Sequence, residues 1–230
     1  MDFEWIEDLL TADTAHQRNF NPRVDGFETY FDDEFKRRYR LKKETAYNLL
    51  SFLMDELTPA TQRNQSITAS LQVLITLRLL AGKSYQTVCG DLSSVSQASV
   101  SRIFKRVIEA ICKLRTGIVR FPEELEPIKR AFFNVCGFPG VIGCIDGTHV
   151  PILQPSDHPQ PEIFRCRKGF FSINSQIVCG PDHTIYNIVA RWPGSTHDSR
   201  IFNNSTLISR LEGNELNGFL LGDGGYACKR

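Results

Sequence analysis

No CxxC pair occurs among the seven cysteines, and their number is odd. A disulfide framework and a zinc site are therefore poor candidates for what organises the chain. Cys144 and Cys179 sit inside apolar runs, where a reduced thiol behaves as a small hydrophobe. No apolar run approaches the roughly 20 residues needed to span a bilayer. The amino terminus, Met1-Asp2-Phe3-Glu4-Trp5, is acidic and does not resemble a secretory signal. The expected setting is intracellular and reducing. There are no internal repeats and no low-complexity tract. GxGxxG and a Walker lysine are missing too, which excludes the common nucleotide loops.

A strong net charge is also absent, the total being +1 over 230 residues. Its distribution is uneven. Residues 1–40 carry ten acids and six bases, whereas residues 41–120 carry eleven bases and five acids, a net of +6. A basic segment inside a near-neutral chain is the asymmetry that nucleic-acid binding requires. Lys36-Arg37-Arg38 reads either as a nuclear-import patch or as a solvated surface, and three bases favour the second.

What is present is an ordinary globular composition, 41% hydrophobic and 23% charged, enough to bury a core. Residues 1–40 lack clean periodicity and read as a partly ordered arm. Apolar residues at three- and four-residue spacing predict helices over 43–57 and 71–81. From Tyr85 to Leu92, through Ser93-Ser94-Val95, to a longer helix after Ser96, the pattern is helix, short turn, helix. Ser96 is well placed to cap the longer helix. Residues 120–140 read as a linker with some helical character. The periodicity then changes. Val141-Ile142-Gly143-Cys144-Ile145 is a short continuous apolar run, as expected for a buried strand. Ser175–Val178 and Ile185–Val189 read as strands joined by the turn Gly180-Pro181-Asp182-His183. His197 to about Glu212 reads as helix, and Gly218–Leu221 as a last strand. The expected organisation is an arm (1–40), a helical DNA-binding region (41–120) and an α/β domain (121–230), α+β over the whole chain.

Two features carry chemistry. In a helix-turn-helix, the second helix enters the major groove and its first half faces the bases. Gln97, Ser99 and Arg102 occupy that half here. Lys105 and Arg106 follow where phosphate contacts are expected. The competing reading is an ordinary helical pair with a solvated charged face.

The second feature is a set of carboxylates. Two-metal phosphodiester cleavage needs several acids converging on one point. Asp146 follows the apolar strand 141–145, and Asp223 follows the strand 218–221 after one glycine. Asp198 opens the helix after the hairpin. Alone, each reads as a turn, cap or loop residue. In the order strand-acid, hairpin, helix-acid, strand-acid they match a ribonuclease-H-like fold. There the first and fourth strands are neighbours and all three acids meet at one end of the sheet. Arg165, Arg167 and Lys168 are candidate phosphate contacts beside them. His149 and His197 read equally well as groups orienting water or phosphate and as structural hydrogen-bonding side chains. A zinc site from Cys144, His149 and His197 is disfavoured, because Cys144 lies in the buried run. Gly224 and Gly225 let backbone and substrate approach Asp223.

Three segments, Ile145-Asp146-Gly147-Thr148-His149, Trp192 through Arg200, and Leu221-Gly222-Asp223-Gly224-Gly225-Tyr226, closely resemble the PIF/Harbinger transposase family and its domesticated nuclease relatives. Arg167-Lys168-Gly169 and the stretch Val95–Arg102 are similar to it as well. The resemblance covers about residues 41–230. It implies a DDE nuclease domain of ribonuclease-H-like fold behind a DNA-binding helix-turn-helix, with Mg2+ or Mn2+ as cofactor. Asp146 and Asp223 match the first two catalytic acids, and Asp198 matches a further metal-binding position. DNA is the implied substrate, a Myb-like protein an implied partner, and the nucleus, with the cytoplasm second, the implied location. The family's last acid, a glutamate on a later helix, has no counterpart, since no Asp or Glu follows Asp223. The chain is therefore expected to be truncated at its carboxyl end. The alternative expectation is an inert DNA-binding or scaffolding protein that retains the transposase fold.

Overall fold

Apolar side chains repeat every three or four residues from Ala46 to Leu57, and in the computed structural model they line the buried side of a helix. The structure describes residues 23–59, 61, 66–82 and 85–226. Two compact units divide between Leu114 and Arg115, inside one long helix. This differs from the division at 120/121 expected from composition. The unit boundary falls before the end of the long helix, Ile118, and before the linker composition begins at residue 120.

The first unit is helical among its described residues: α1 (Gly26–Thr29), α2 (Asp32–Tyr39), α3 (Lys43–Leu57), α4 (Ala69–Gly82), α5 (Gln86–Ser93) and α6 (Gln97–Ile118). Helix α4 is buried from Leu71 to Leu77 and is the centre of this core. Its one long polar residue there, Gln72, donates to the carbonyls of Leu57 at 3.0 Å and Ile67 at 2.9 Å, so the amide is buried without losing its donors' partners. The reading of residues 1–40 as an arm needs correction over its second part. Phe27 and Phe35 are buried and stacked at 5.2 Å, and Phe35 meets Tyr39 at 4.4 Å. These aromatics are spaced too irregularly to show a period, yet they anchor α1 and α2 to the core. Residues 1–22 lie outside the described residues.

Helices α5 and α6 are separated by Ser94, Val95 and Ser96, as the turn residues predict. Ser96 Oγ accepts from the Ser99 amide at 3.3 Å and satisfies one of the free N–H groups of the first turn. Ser96→Ala should lower stability by about 0.5–2 kcal/mol, measured by urea unfolding, with the helix pair otherwise intact.

The second unit holds α7 (Glu126–Cys136), β1 (Val141–Pro151), a 3-10 turn (Pro161–Phe164), β2 (Ser172–Cys179), β3 (Ile185–Pro193), α8 (Asp198–Asn203), α9 (Thr206–Glu212) and β4 (Phe219–Leu221). It is mixed α/β, with a four-stranded sheet in the order β3-β2-β1-β4. Strands β2 and β3 form the expected hairpin, whose turn places His183 at φ 66°. Strand β4 runs parallel to β1, so the first and fourth strands are neighbours as expected. Val141, Ile142, Ile145, Val178, Leu207 and Leu216 make the core. Three local readings change. Residues 126–136 are helix rather than linker, started by Pro127 in the first turn and ended by Gly137 at φ 70°. The helix expected over 197–212 breaks at Asn204-Ser205 into two. Strand β1 continues six residues beyond the apolar run, pairing as far as Pro151 with Ser172. Asp146 therefore lies within the strand rather than after it, because ladder pairing, not burial, carries the second half of β1.

Candidate active site

The register explains how the acids meet. In the parallel pair, Cys144 stands beside Leu221. Two residues further along each chain come Asp146, within β1, and Asp223, just past the end of β4, so the two acids stand at the same level of adjacent strands. Asp198 is the first residue of α8, behind the cap His197. Its carboxylate packs where β1 has no side chain. A Cβ at Gly147 would stand 2.4 Å from Asp198 Oδ1 and 2.7 Å from its Cγ. A Cβ at Gly225 would lie 2.9 Å from Asp223 Oδ1 and 3.5 Å from Asp198 Oδ2. One point thus sees both the second and the third acid. Glycine at 147 is a steric requirement here. Gly147→Ala should cost about 1–3 kcal/mol of stability by forcing Asp198 aside, measured by urea unfolding.

The carboxylates are held mainly by backbone amides. Asp146 Oδ1 accepts from the Gly147 amide at 2.7 Å, and Asp223 Oδ1 from the Gly225 amide at 2.9 Å. Asp198 Oδ1 accepts from Asn174 Nδ2 at 2.8 Å. The Tyr226 hydroxyl stands within the field of all three. Burial raises its pKa, and the charges of Asp198, Asp146 and Asp223 raise it further. That hydroxyl is buried and finds no hydrogen-bond partner among the described residues. The negative charge of all three acids therefore reaches this phenol.

Beside the acids opens a cleft of about 310 Å³, lined by Asp198, Asp223, His149, His197, Asn174 and Arg167 among others. His149 Nδ1 lies 3.0 Å from Ser172 Oγ, and His197 Nδ1 caps α8 by accepting from the Ser199 amide at 3.4 Å. Both imidazoles thus have structural hydrogen bonds and also face the cleft. Of the basic residues expected here, Arg167 lines the cleft and Lys168 is exposed on the same turn. Arg165 is engaged within the chain. Its guanidinium is bound to Glu162 at 2.7 Å and to the Gly169 carbonyl at 2.8 Å, and it stacks on Phe171. In the helical unit, Gln97, Arg102, Lys105 and Arg106 are exposed on α6 and Ser99 is half-buried. Lys105 lies 4.0 Å from Glu109.

Among the described residues, no three His, Cys, Asp or Glu side chains are grouped as a metal cage. That arrangement still suits a hard cation such as Mg2+, which takes oxygen ligands and usually keeps several waters rather than an all-protein shell. The donors present, carboxylates with a phenol behind them, fit such an ion and not zinc.

Asn174 and the part played by Tyr226 are not legible from spacing. The one available signal was the run of polar residues in β2, where Ser172, Asn174, Ser175 and Gln176 are all buried.

A family profile described as "DDE superfamily endonuclease" matches residues 145–230. The protein "Putative nuclease HARBI1" of Homo sapiens is 33% identical over 223 residues, which is 95% of this chain and 62% of the relative. The protein of the same name from Xenopus laevis is 27% identical over 226 residues, 96% of this chain and 64% of the relative. "Protein ALP1-like" of Arabidopsis thaliana is 26% identical over 211 residues, 84% of this chain and 52% of the relative. The chain thus spans less than two thirds of the length of these relatives. No solved structure matches it.

Proposed function

We propose that the chain is a member of the Harbinger transposase-derived family of the DDE superfamily, a reading supported by the profile match over residues 145–230 and the likeness to "Putative nuclease HARBI1", and that it carries the aspartate part of a divalent-metal site for cleaving DNA phosphodiester bonds. The observation that supports this most is the Gly147 gap that Asp198 fills and the Gly225 position that Asp198 Oδ2 and Asp223 Oδ1 share, with Asp146 next to Gly147 on β1. We read the unit as a ribonuclease-H-like domain, a reading that the strand order β3-β2-β1-β4 supports.

Mg2+ or Mn2+, bound by Asp146 and Asp223 with Asp198 in support, would supply charge stabilisation to the attacking and leaving oxygens. The residues of the chain do the rest. The Gly147 and Gly225 amides fix two of the carboxylates, so that little rearrangement is needed on binding. Arg167, at the cleft, and Lys168 beside it attract a phosphodiester backbone that the acids alone would repel. Gly224 has open space around its Cα, which leaves room for a strand against Asp223.

In the helical unit, we read α5, the three-residue turn and α6 as a helix-turn-helix. Gln97, Ser99 and Arg102 face bases, and Lys105 and Arg106 face phosphates. The exposure of the first half of α6 and its Ser96 cap support that reading. We place this activity in the nucleus, where such DNA lies. The test is calorimetric titration of the full chain with Mn2+, followed by plasmid nicking with the metal present. Saturable Mn2+ binding is expected. DNA binding without metal binding would instead identify an inert DNA-binding or scaffolding protein.

A further inference from the structure

Asn174 lies on β2, a strand with a neighbour on each side, and is 2% exposed. Its two amide hydrogens go to the same place. One is donated to Asp198 Oδ1 at 2.8 Å and the other to the Thr196 carbonyl at 2.9 Å. These acceptors flank the start of α8. The amide oxygen, by contrast, is buried and accepts nothing among the described residues. The orientation of this side chain is therefore set by what it donates to, not by its own full satisfaction. Flipping the amide would place its oxygen against a carboxylate and lose both bonds.

Two restraints act on the same oxygen. Gly147 leaves the space that Asp198 Oδ1 occupies, at 2.4 Å from where a Cβ would be. Asn174 supplies the donor that holds it there. With Oδ1 engaged, Oδ2 is the oxygen that faces Gly225 and Asp223. We infer that Asn174 is a positioning residue: it grips Asp198 Oδ1 so that Oδ2 is presented toward Asp223 for a shared divalent cation. The inference rests on the metal-site reading above. Outer-shell hydrogen bonds of this kind orient ligands, and losing one commonly weakens metal affinity by about 10–100-fold.

A side chain that merely ties a loop to the sheet would contribute to stability whether or not Asp198 is present. A positioning residue acts through Asp198 and becomes silent without it. A double-mutant cycle on the full chain separates the two. Mn2+ affinity is measured by calorimetry for wild type, Asn174→Ala, Asp198→Ala and the double variant, with thermal melting of each. Asn174→Ala should weaken Mn2+ binding about tenfold in the wild-type background and leave it unchanged when Asp198 is already alanine. An equal loss in both backgrounds, or no loss in either, overturns the inference. If Asn174→Ala fails to fold, Asn174→Ser, whose hydroxyl is too short to reach Asp198, is read in the same way. A metal-free measurement completes the test: the Asn174 side-chain amide resonance should move when Asp198 becomes alanine. A resonance that stays in place shows that the bond is not formed in solution, and that too overturns the inference. A wild-type chain that binds no Mn2+ overturns the functional reading and this inference together. Binding with an additive cycle overturns this inference alone.

Discussion

Replacing Asp146 by asparagine lowers the affinity of the chain for Mn2+ by at least about thirtyfold. Two unit charges about 4 Å apart attract by about 1 kcal/mol even in water, and a divalent cation doubles that, while tenfold in affinity corresponds to about 1.4 kcal/mol. The substitution removes one charge and keeps the shape, since Asn is isosteric with Asp. The carboxylate is exposed, and its Oδ1 is held by the Gly147 amide, so the fold should tolerate the change. Asp223→Asn, whose carboxylate is held the same way by the Gly225 amide, should behave alike. Calorimetry at fixed ionic strength checks both. Unchanged affinity in either variant would remove that residue from the metal site.

The second large effect is expected in DNA binding. Raising salt from about 50 to 200 mM should weaken it about a hundredfold, because each phosphate contact steepens the dependence on log salt by about 0.9. The estimate supposes about four contacts. Helix α6 exposes Arg102, Lys105, Arg106, Lys113 and Arg115. Lys105 and Lys113 already have Glu109 and Glu56 as ion partners, so they contribute less than free bases. Arg106→Ala, at a phosphate-facing position, should reduce the slope by about one, whereas Arg102→Ala, at a base-facing position, should weaken binding by about 1–3 kcal/mol and relax sequence preference. Fluorescence anisotropy across a salt series measures this, and a flat series would contradict the helix-turn-helix reading.

The helices over 43–57 and 71–81, the Ser96 cap and the hairpin could all be read from the chain. Each depends on local information: a 3.6-residue repeat, a cap, a turn, a short apolar run. The neighbouring first and fourth strands were expected from the order of elements matched to a fold, not from a local signal. The helices α1 and α2 could not be read. Their hold on the core comes from Phe27 and Phe35, which meet α3 and α4 only after folding. The same limit applies to Arg165, a candidate phosphate contact until Glu162 and Phe171 are seen to engage it.

For the site, the sequence by itself determined which acids are involved and in what order along the chain. Asp146, Asp198 and Asp223 follow from motif and local context, since a carboxylate at the end of an apolar run is a one-dimensional signal. Tertiary structure alone decided how they meet. Parallel registration of β1 with β4, the missing side chain at Gly147, the grip of Asn174 and the Tyr226 hydroxyl amid the three charges all join residues far apart in sequence. Such contacts depend on strand register and packing in three dimensions, which leave no period in the chain.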